Sequence, residues 1–241
     1  MKKSTVLSLI VLLVLIPATL YLGAKLPGRM YYLISTLVIL EIMLPFFLSL
    51  ESRRPDAREL CVIAVMSAIA AISRAAFIFL PGFKPITGII MIAGIAFGPE
   101  AGFLTGAVGV FASNFLFGQG PWTPWQMLAY GFAGFFAGLV FHKNRRLCRP
   151  WLLGCFGFFT ILLLVGPMLD TCTVFTVLTE FDRAGLLLIY GQGVPINILH
   201  GLGCGMTLLL IGRPFVEKLD RLRLKYGIMD SGYEKNGNQP E

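Results

Sequence analysis

ITGIIMIAGIAF, residues Ile86–Phe97, has no charge and a single hydroxyl, Thr87. It is twelve residues long, whereas a helix crossing the hydrocarbon core needs about 20. Whether it crosses decides the architecture, because every later segment changes sides with it. The basic residues arbitrate. They cluster at Lys2-Lys3, at Arg53-Arg54-Arg58, at Lys143-Arg145-Arg146-Arg149, and from Arg213 to Lys225. If Ile86–Phe97 crosses, all four clusters fall on one face. If it only dips in and returns, the second and third lie on opposite faces. The positive-inside rule favours the crossing. The sequence therefore predicts eight spans, with both termini cytoplasmic. The other face receives only Lys25, Arg29, Lys84 and Arg183, with Glu180 and Asp182 beside the last.

Composition agrees with a membrane protein. The 241 residues are 56% hydrophobic and 14% charged, with mean hydropathy +0.77, where a soluble domain is nearer one quarter charged. The net charge of +7 would point to nucleic acid in a soluble protein. Here the basic residues flank apolar runs, so membrane lipid explains them and no nucleic-acid partner is expected. The five cysteines include no CxxC and read as small core residues, neither a disulfide framework nor a metal site. The start resembles a signal peptide, yet its cleavage positions fit poorly and the apolar run is long. An uncleaved first span over residues 5–23 is expected, then a second over 31–50 that contains Glu41 and Pro45. The polar break ESRRPDAR divides a two-helix extension, residues 1–56, from a membrane core, residues 57–226. Within the core, 213–226 reads as an amphipathic helix lying on the cytoplasmic surface, and 227–241 as a disordered tail.

Between two apolar runs lies GQGPWTPWQ, residues 118–126. Two Trp suit an interfacial belt. Two Pro, two Trp, Gln119 and Gln126 in nine residues also suit a lid over a small-molecule site. Polar groups gather nearby in sequence: Asn114 before the loop, Tyr130 one turn after Gln126, and Gln192 and Asn197 around Pro195, where a broken helix is expected. Arg74, Asp170, Glu41 and His200 are ionisable groups inside apolar runs, which by default marks function. An Arg74–Asp170 ion pair is the structural alternative, and His200 reads more readily as a hydrogen-bonded core residue. No hydrolytic triad, paired carboxylates, metal set or phosphate loop assembles. Glycines and alanines recur four apart at Ala64 and Ala68, Gly94 and Gly98, Gly102 and Gly106, Gly134 and Gly138, and Gly201 and Gly205, a spacing that lets helices approach closely.

Three stretches carry a resemblance: AVMSAIAA at 64–71, FKPITGIIMIAGIAF through WTPWQMLAYGFAGFFAGL at 83–139, and GVPINILHGLGCGMTLLLIGRPFVEKL at 193–219. From about residue 57 to 226 the chain resembles the substrate-binding S components of energy-coupling factor (ECF) vitamin transporters, most closely the folate, pantothenate and cobalamin branch. The resemblance implies an all-α, polytopic membrane helix bundle with a six-helix core, preceded here by two helices that the family lacks. It implies a vitamin bound from outside beneath the PGFKP and GQGPWTPWQ connectors. The residues expected to line that site are Arg74, Lys84, Asn114, Gln119, Trp122, Trp125, Gln126, Tyr130, Asp170, Gln192 and Asn197. Ala64 and Ala68 occupy the place of the family's small-residue motif that docks on a transmembrane coupling subunit. The family's complex also contains two cytoplasmic ATPases, so ATP hydrolysis is expected in partners and no catalytic residue, cofactor or metal in this chain.

Among cargoes, cobalamin or a corrinoid precursor is the first expectation, because amides and aromatics outnumber acidic groups; folate and pantothenate are alternatives. Two other classes compete. One is an intramembrane lipid-modifying enzyme using Arg74, Asp170 and His200, which requires those three in one cavity. The other is a ligand-free structural subunit of the bacterial cell membrane.

Overall fold

The computed structural model describes residues 10–25, 31–53, 57–178 and 182–226. Lys2, Lys3, Arg29, Arg54, Glu180 and the tail 227–241 lie outside them. The described residues contain helices and no strand: α1 (Ile16–Lys25), α2 (Tyr31–Arg53), α3 (Ala57–Ala76), α4 (Ile86–Phe97), α5 (Pro99–Phe117), α6 (Thr123–Phe141), α7 (Pro150–Val177) and α8 (Arg183–Tyr226). Five of them, α3 and α5 to α8, are long and apolar enough to cross a membrane. The protein is an all-α polytopic membrane bundle.

Proline and glycine set the boundaries. Gly98, at φ 103°, ends α4 in a conformation closed to side-chain-bearing residues, and Pro99 starts α5 where its missing N–H costs nothing. Gly118, at φ 97°, ends α5 in the same way. Three prolines fall inside long helices two residues after a π-helical turn: Pro17 after Val11–Leu15, Pro167 after Ile161–Val165, and Pro214 after Leu208–Gly212. A proline ring clashes with the carbonyl four residues earlier, and one extra residue in the preceding turn moves that carbonyl aside. Pro195 behaves differently from expectation. It lies within the continuous helix Arg183–Thr207, so no broken segment exposes backbone there.

α4 is the centre of the bundle. Every residue from Ile86 to Ala96 is buried, as befits a helix apolar on all sides. It doubles back on α5 at Gly98, and α5 doubles back on α6. At their crossing a Cβ on Gly94 would collide with the Gly134 carbonyl, and one on Gly102 would lie 2.5 Å from that same oxygen. The glycine spacing thus serves close packing, the usual route to association where lipid supplies no hydrophobic drive.

α3 runs parallel to α5, with Ser67 Oγ donating to the Thr105 carbonyl at 3.3 Å. α7 and α8 run antiparallel. α4 flanks α8 only from about His200 onward, where Thr87 Oγ1 lies 2.9 Å from His200 Nε2, and the Lys84 backbone N just before α4 would meet a Cβ on Gly203 at 2.8 Å. Twelve residues span about 18 Å, so the upper part of the bundle lacks a sixth helix.

α2 lies against α5, α6 and α7. Phe46 stacks on Phe103 with centroids 3.8 Å apart, while Ile39 and Met43 bury against the apolar cluster that includes Trp125 and Leu128. Glu41 accepts a hydrogen bond from Thr19 and so joins α1 to α2.

Basic residues from the three clusters after Lys2-Lys3 meet at one end. Arg145, Arg146, Arg149 and Arg213 line one cavity, and Arg58 donates to the Tyr226 carbonyl at 2.9 Å. Arg145 also donates to the Ile95 and Ala96 carbonyls and pairs with Asp220 at 2.8 Å, closing the end of α4. His142 Nδ1 sits 3.0 Å from the Ile95 carbonyl. Burial lowers the His142 pKa, partly opposed by that carbonyl and reinforced by Arg145. Residues 213–226 continue α8 beyond its π turn and bury Val216 and Leu219, rather than forming a separate surface helix.

Candidate ligand site

The site forms at the end opposite the basic clusters, where the helices around α4 rise past it. Arg74, in the last turn of α3, donates through Nη1 to Ser113 Oγ and Asn114 Oδ1, both at 2.8 Å. Its guanidinium also stacks 4.3 Å from the Phe117 ring. Asn114 is buried and uses both ends of its amide: its Nδ2 donates to Gln126 Oε1 at 2.9 Å and to Thr123 Oγ1 at 3.2 Å. Thr123 in turn donates to Gln119 Oε1 at 3.0 Å and accepts from the Gly120 N–H at 3.1 Å. One polar chain therefore joins α3, α5, the Trp loop and α6. A buried network satisfied at each member rigidifies its surroundings.

Below it, at the top of α4, Thr87 Oγ1 lies 2.9 Å from His200 Nε2, and the His200 ring packs 5.7 Å from Tyr130. On the far side Asp170 of α7 accepts from Asn197 Nδ2 of α8 at 2.8 Å. A Cβ on Gly193 would collide with Asp170, so glycine is what lets that carboxylate reach α8. No ion pair joins Arg74 to Asp170 among the described residues, since each takes amide or hydroxyl partners instead.

A cavity of about 320 Å³ opens beneath the loop, between Pro121, Trp122 and Gln126 on one side and Leu169, Cys172, Thr173 and Thr176 of α7 on the other. Trp122 is 43% exposed and forms its rim. Trp125 is turned inward against Phe175 and α2, and its Nε1 has no acceptor among the described residues.

Of the residues read from sequence, Arg74, Asn114, Gln119, Gln126 and Trp122 come together around the loop, with Tyr130 below and Asp170 and Asn197 across the bundle. Lys84 is half-buried in the connector before α4, and Gln192 is exposed on α8. Ala64 and Ala68 lie on the exposed face of α3, well away from this site. Sequence reasoning did not place Ser113, Thr123 or Thr87 at the site. Small hydroxyls carry no periodic signal, and only their neighbours Asn114, Trp122 and Lys84 marked the places. Arg74, Asp170 and His200 belong to three separate polar groups, so the convergence that an intramembrane enzyme needs is not formed. Among the described residues no group of three or more His, Cys, Asp or Glu could hold a metal.

The family described as "ECF-type riboflavin transporter, S component" matches residues 56–221. The chain belongs to that S-component family. Curated relatives of the S component include a UPF0397 protein of Vibrio atlanticus, 30% identical over 118 residues (46% of this chain, 64% of the relative). Another from Aliivibrio fischeri is 30% identical over 97 residues (37% and 52%), and one from Aliivibrio salmonicida is 27% identical over 121 (47% and 66%). The chain thus spans roughly half to two thirds of the length of these relatives. No solved structure matches it. The family match begins at the polar break before α3, so α1 and α2 of this S component lie outside it.

Proposed function

We propose that this chain binds a vitamin at the Trp-loop end and hands it inward, as the substrate-specific membrane subunit of an ATP-driven ECF importer. The observation that carries the reading is the rigid polar chain from Arg74 through Asn114 to Gln126, which ends at the rim of the cavity under Trp122. Arg58, Arg145, Arg146, Arg149 and Arg213, gathered at the other end, support eight crossings with that end cytoplasmic. Ala64 and Ala68, exposed beside Cys61 and Val65 on α3, form a shallow face on which a coupling subunit's helices can pack closely. ATP hydrolysis then belongs to ATPases attached to that subunit.

For the cargo we favour riboflavin or a similar flat heteroaromatic vitamin. The family's name supports it, and so does the site. A cavity near 320 Å³ is at the small end of ligand pockets, which suits a flat ring system better than a corrinoid. Gln126, Thr173 and Thr176 offer the donors and acceptors that a ring edge with imide and hydroxyl groups would use. Titrating purified protein with riboflavin, read by quenching of tryptophan and flavin fluorescence, tests this. Trp122→Ala and Gln126→Ala should each weaken binding about tenfold or more, the loss of one well-placed contact, while the protein stays folded. Unchanged affinity in both variants would rule out this cavity as the site.

A further inference from the structure

A second opening lies at the basic end. α6 and the first half of α7 splay apart and leave an apolar groove of about 610 Å³, walled by Phe136 and Val140 on one side and by Phe159 and Leu163 on the other. Its floor is closed where Phe141 and Phe156 meet edge to face at 5.0 Å. The groove runs from Leu163 toward the basic end and reaches Leu147. Leu147 also lines a second cavity, of about 570 Å³, walled by Lys143, Asn144, Arg145 and Arg146. An acyl-sized trough therefore ends at a cationic mouth.

The charges at that mouth are unequal in availability. Arg145 is committed to the Ile95 and Ala96 carbonyls and to Asp220. Lys143 and Arg146 are exposed and make no ion pair among the described residues. The carboxylates Glu217 and Asp220 line the neighbouring cavity, which Arg145 and Arg146 share and Lys143 does not, and neither lines this one.

We propose that this groove is a binding site for an anionic phospholipid of the cytoplasmic leaflet. Its acyl chains lie along Phe136, Phe159 and Leu163, and its phosphate is held by Lys143 and Arg146 with Asn144 as a further donor. The assignment of leaflet rests on the orientation proposed above; the binding itself does not. Charge complementarity selects the occupant. A zwitterionic lipid fills the trough equally well but gains little at the mouth, whereas basic residues at a membrane surface favour an anionic headgroup. Trp151, 57% exposed at the start of α7, sits at the depth where an indole anchors to headgroups.

Native mass spectrometry of the detergent-purified protein, with added phosphatidylglycerol or phosphatidylcholine of equal chain length, tests the proposal. Phosphatidylglycerol should be retained preferentially at one per chain. Lys143→Ala with Arg146→Ala should weaken its retention about 30-fold, given the worth of two surface cations, and weaken that of phosphatidylcholine far less. Cys155→Trp, which fills the groove, should displace both lipids. Equal retention of the two lipids by the parent protein would overturn the proposal and make the groove an ordinary lipid contact. So would a double variant that keeps phosphatidylglycerol as the parent does; its two positions are exposed, so folding is not at stake. Vitamin titration of the same samples reports on the transport reading separately.

Discussion

Asn114 holds the site together at the scale of single side chains. It accepts from Arg74 and donates to both Gln126 and Thr123. Replacing it with Ala takes one partner each from Arg74 and Thr123, which keep Ser113 and Gln119, and takes from Gln126 Oε1 the donor that holds it; a buried polar group left without its partner costs about 1–3 kcal/mol. Asn114→Ala should therefore lower the melting temperature and also loosen the Trp loop, weakening ligand binding more than Trp122→Ala does. Thermal unfolding in detergent alongside fluorescence titration checks both; a variant that melts and binds like the parent would show the network to be incidental. Asn114 and Arg74 stood out in the sequence because polar groups in apolar runs are conspicuous. Their mutual pairing did not, since the obvious partner for a membrane arginine is a carboxylate. Asp170 instead takes Asn197, at 2.8 Å, and the geometry that keeps Arg74 and Asp170 apart is tertiary.

For the helices, the glycine crossing of α4, α5 and α6 is what permits the fold. A side chain on Gly94 or Gly134 meets backbone, which cannot rotate away as a flexible side chain could. Gly94→Leu is expected to destabilise the bundle by about 1–3 kcal/mol or more, the usual range for overpacking, seen as a loss of monodisperse protein in size-exclusion chromatography. Gly98→Ala acts differently: space is available there, and the cost comes from φ 103°. The four-residue spacing announced close packing but grouped Gly94 with Gly98, whose roles turn out to be distinct. The same limit applies to proline. Pro99 and Pro150 start helices, Pro167 and Pro214 are absorbed by π turns, and Pro195, where a broken helix was expected, leaves α8 unbroken. Sequence shows that a residue perturbs a helix; packing against neighbours decides whether the helix yields.

At the scale of the whole molecule, the bundle has a ligand end and a basic end, with α4 set close to the latter. The short length of Ile86–Phe97, read at first as an ambiguity about crossing, is what leaves the upper bundle open. The all-α polytopic architecture was legible because hydropathy and basic clusters are properties of composition along the chain. The cavity was not, because its walls come from the Trp loop and from α7, some 50 residues apart in sequence. α2 packs on α5, α6 and α7 and leaves Ala64 and Ala68 of α3 exposed, so the extra helices and a coupling subunit can occupy different faces. Ala64→Trp with Ala68→Trp should accordingly abolish vitamin uptake in cells that carry the coupling module, and leave binding to the isolated protein unchanged. Uptake at the parent rate would place the docking face elsewhere.

The central claim is that this chain is a vitamin-binding subunit with a site beneath the Trp loop. Purifying it from cells grown in rich medium and identifying any co-purified small molecule by absorbance and mass spectrometry tests that most directly. The account predicts a flavin near one per chain, lost in Trp122→Ala. Protein that carries no vitamin and then binds none from a panel of riboflavin, folate, pantothenate and cobalamin would contradict it.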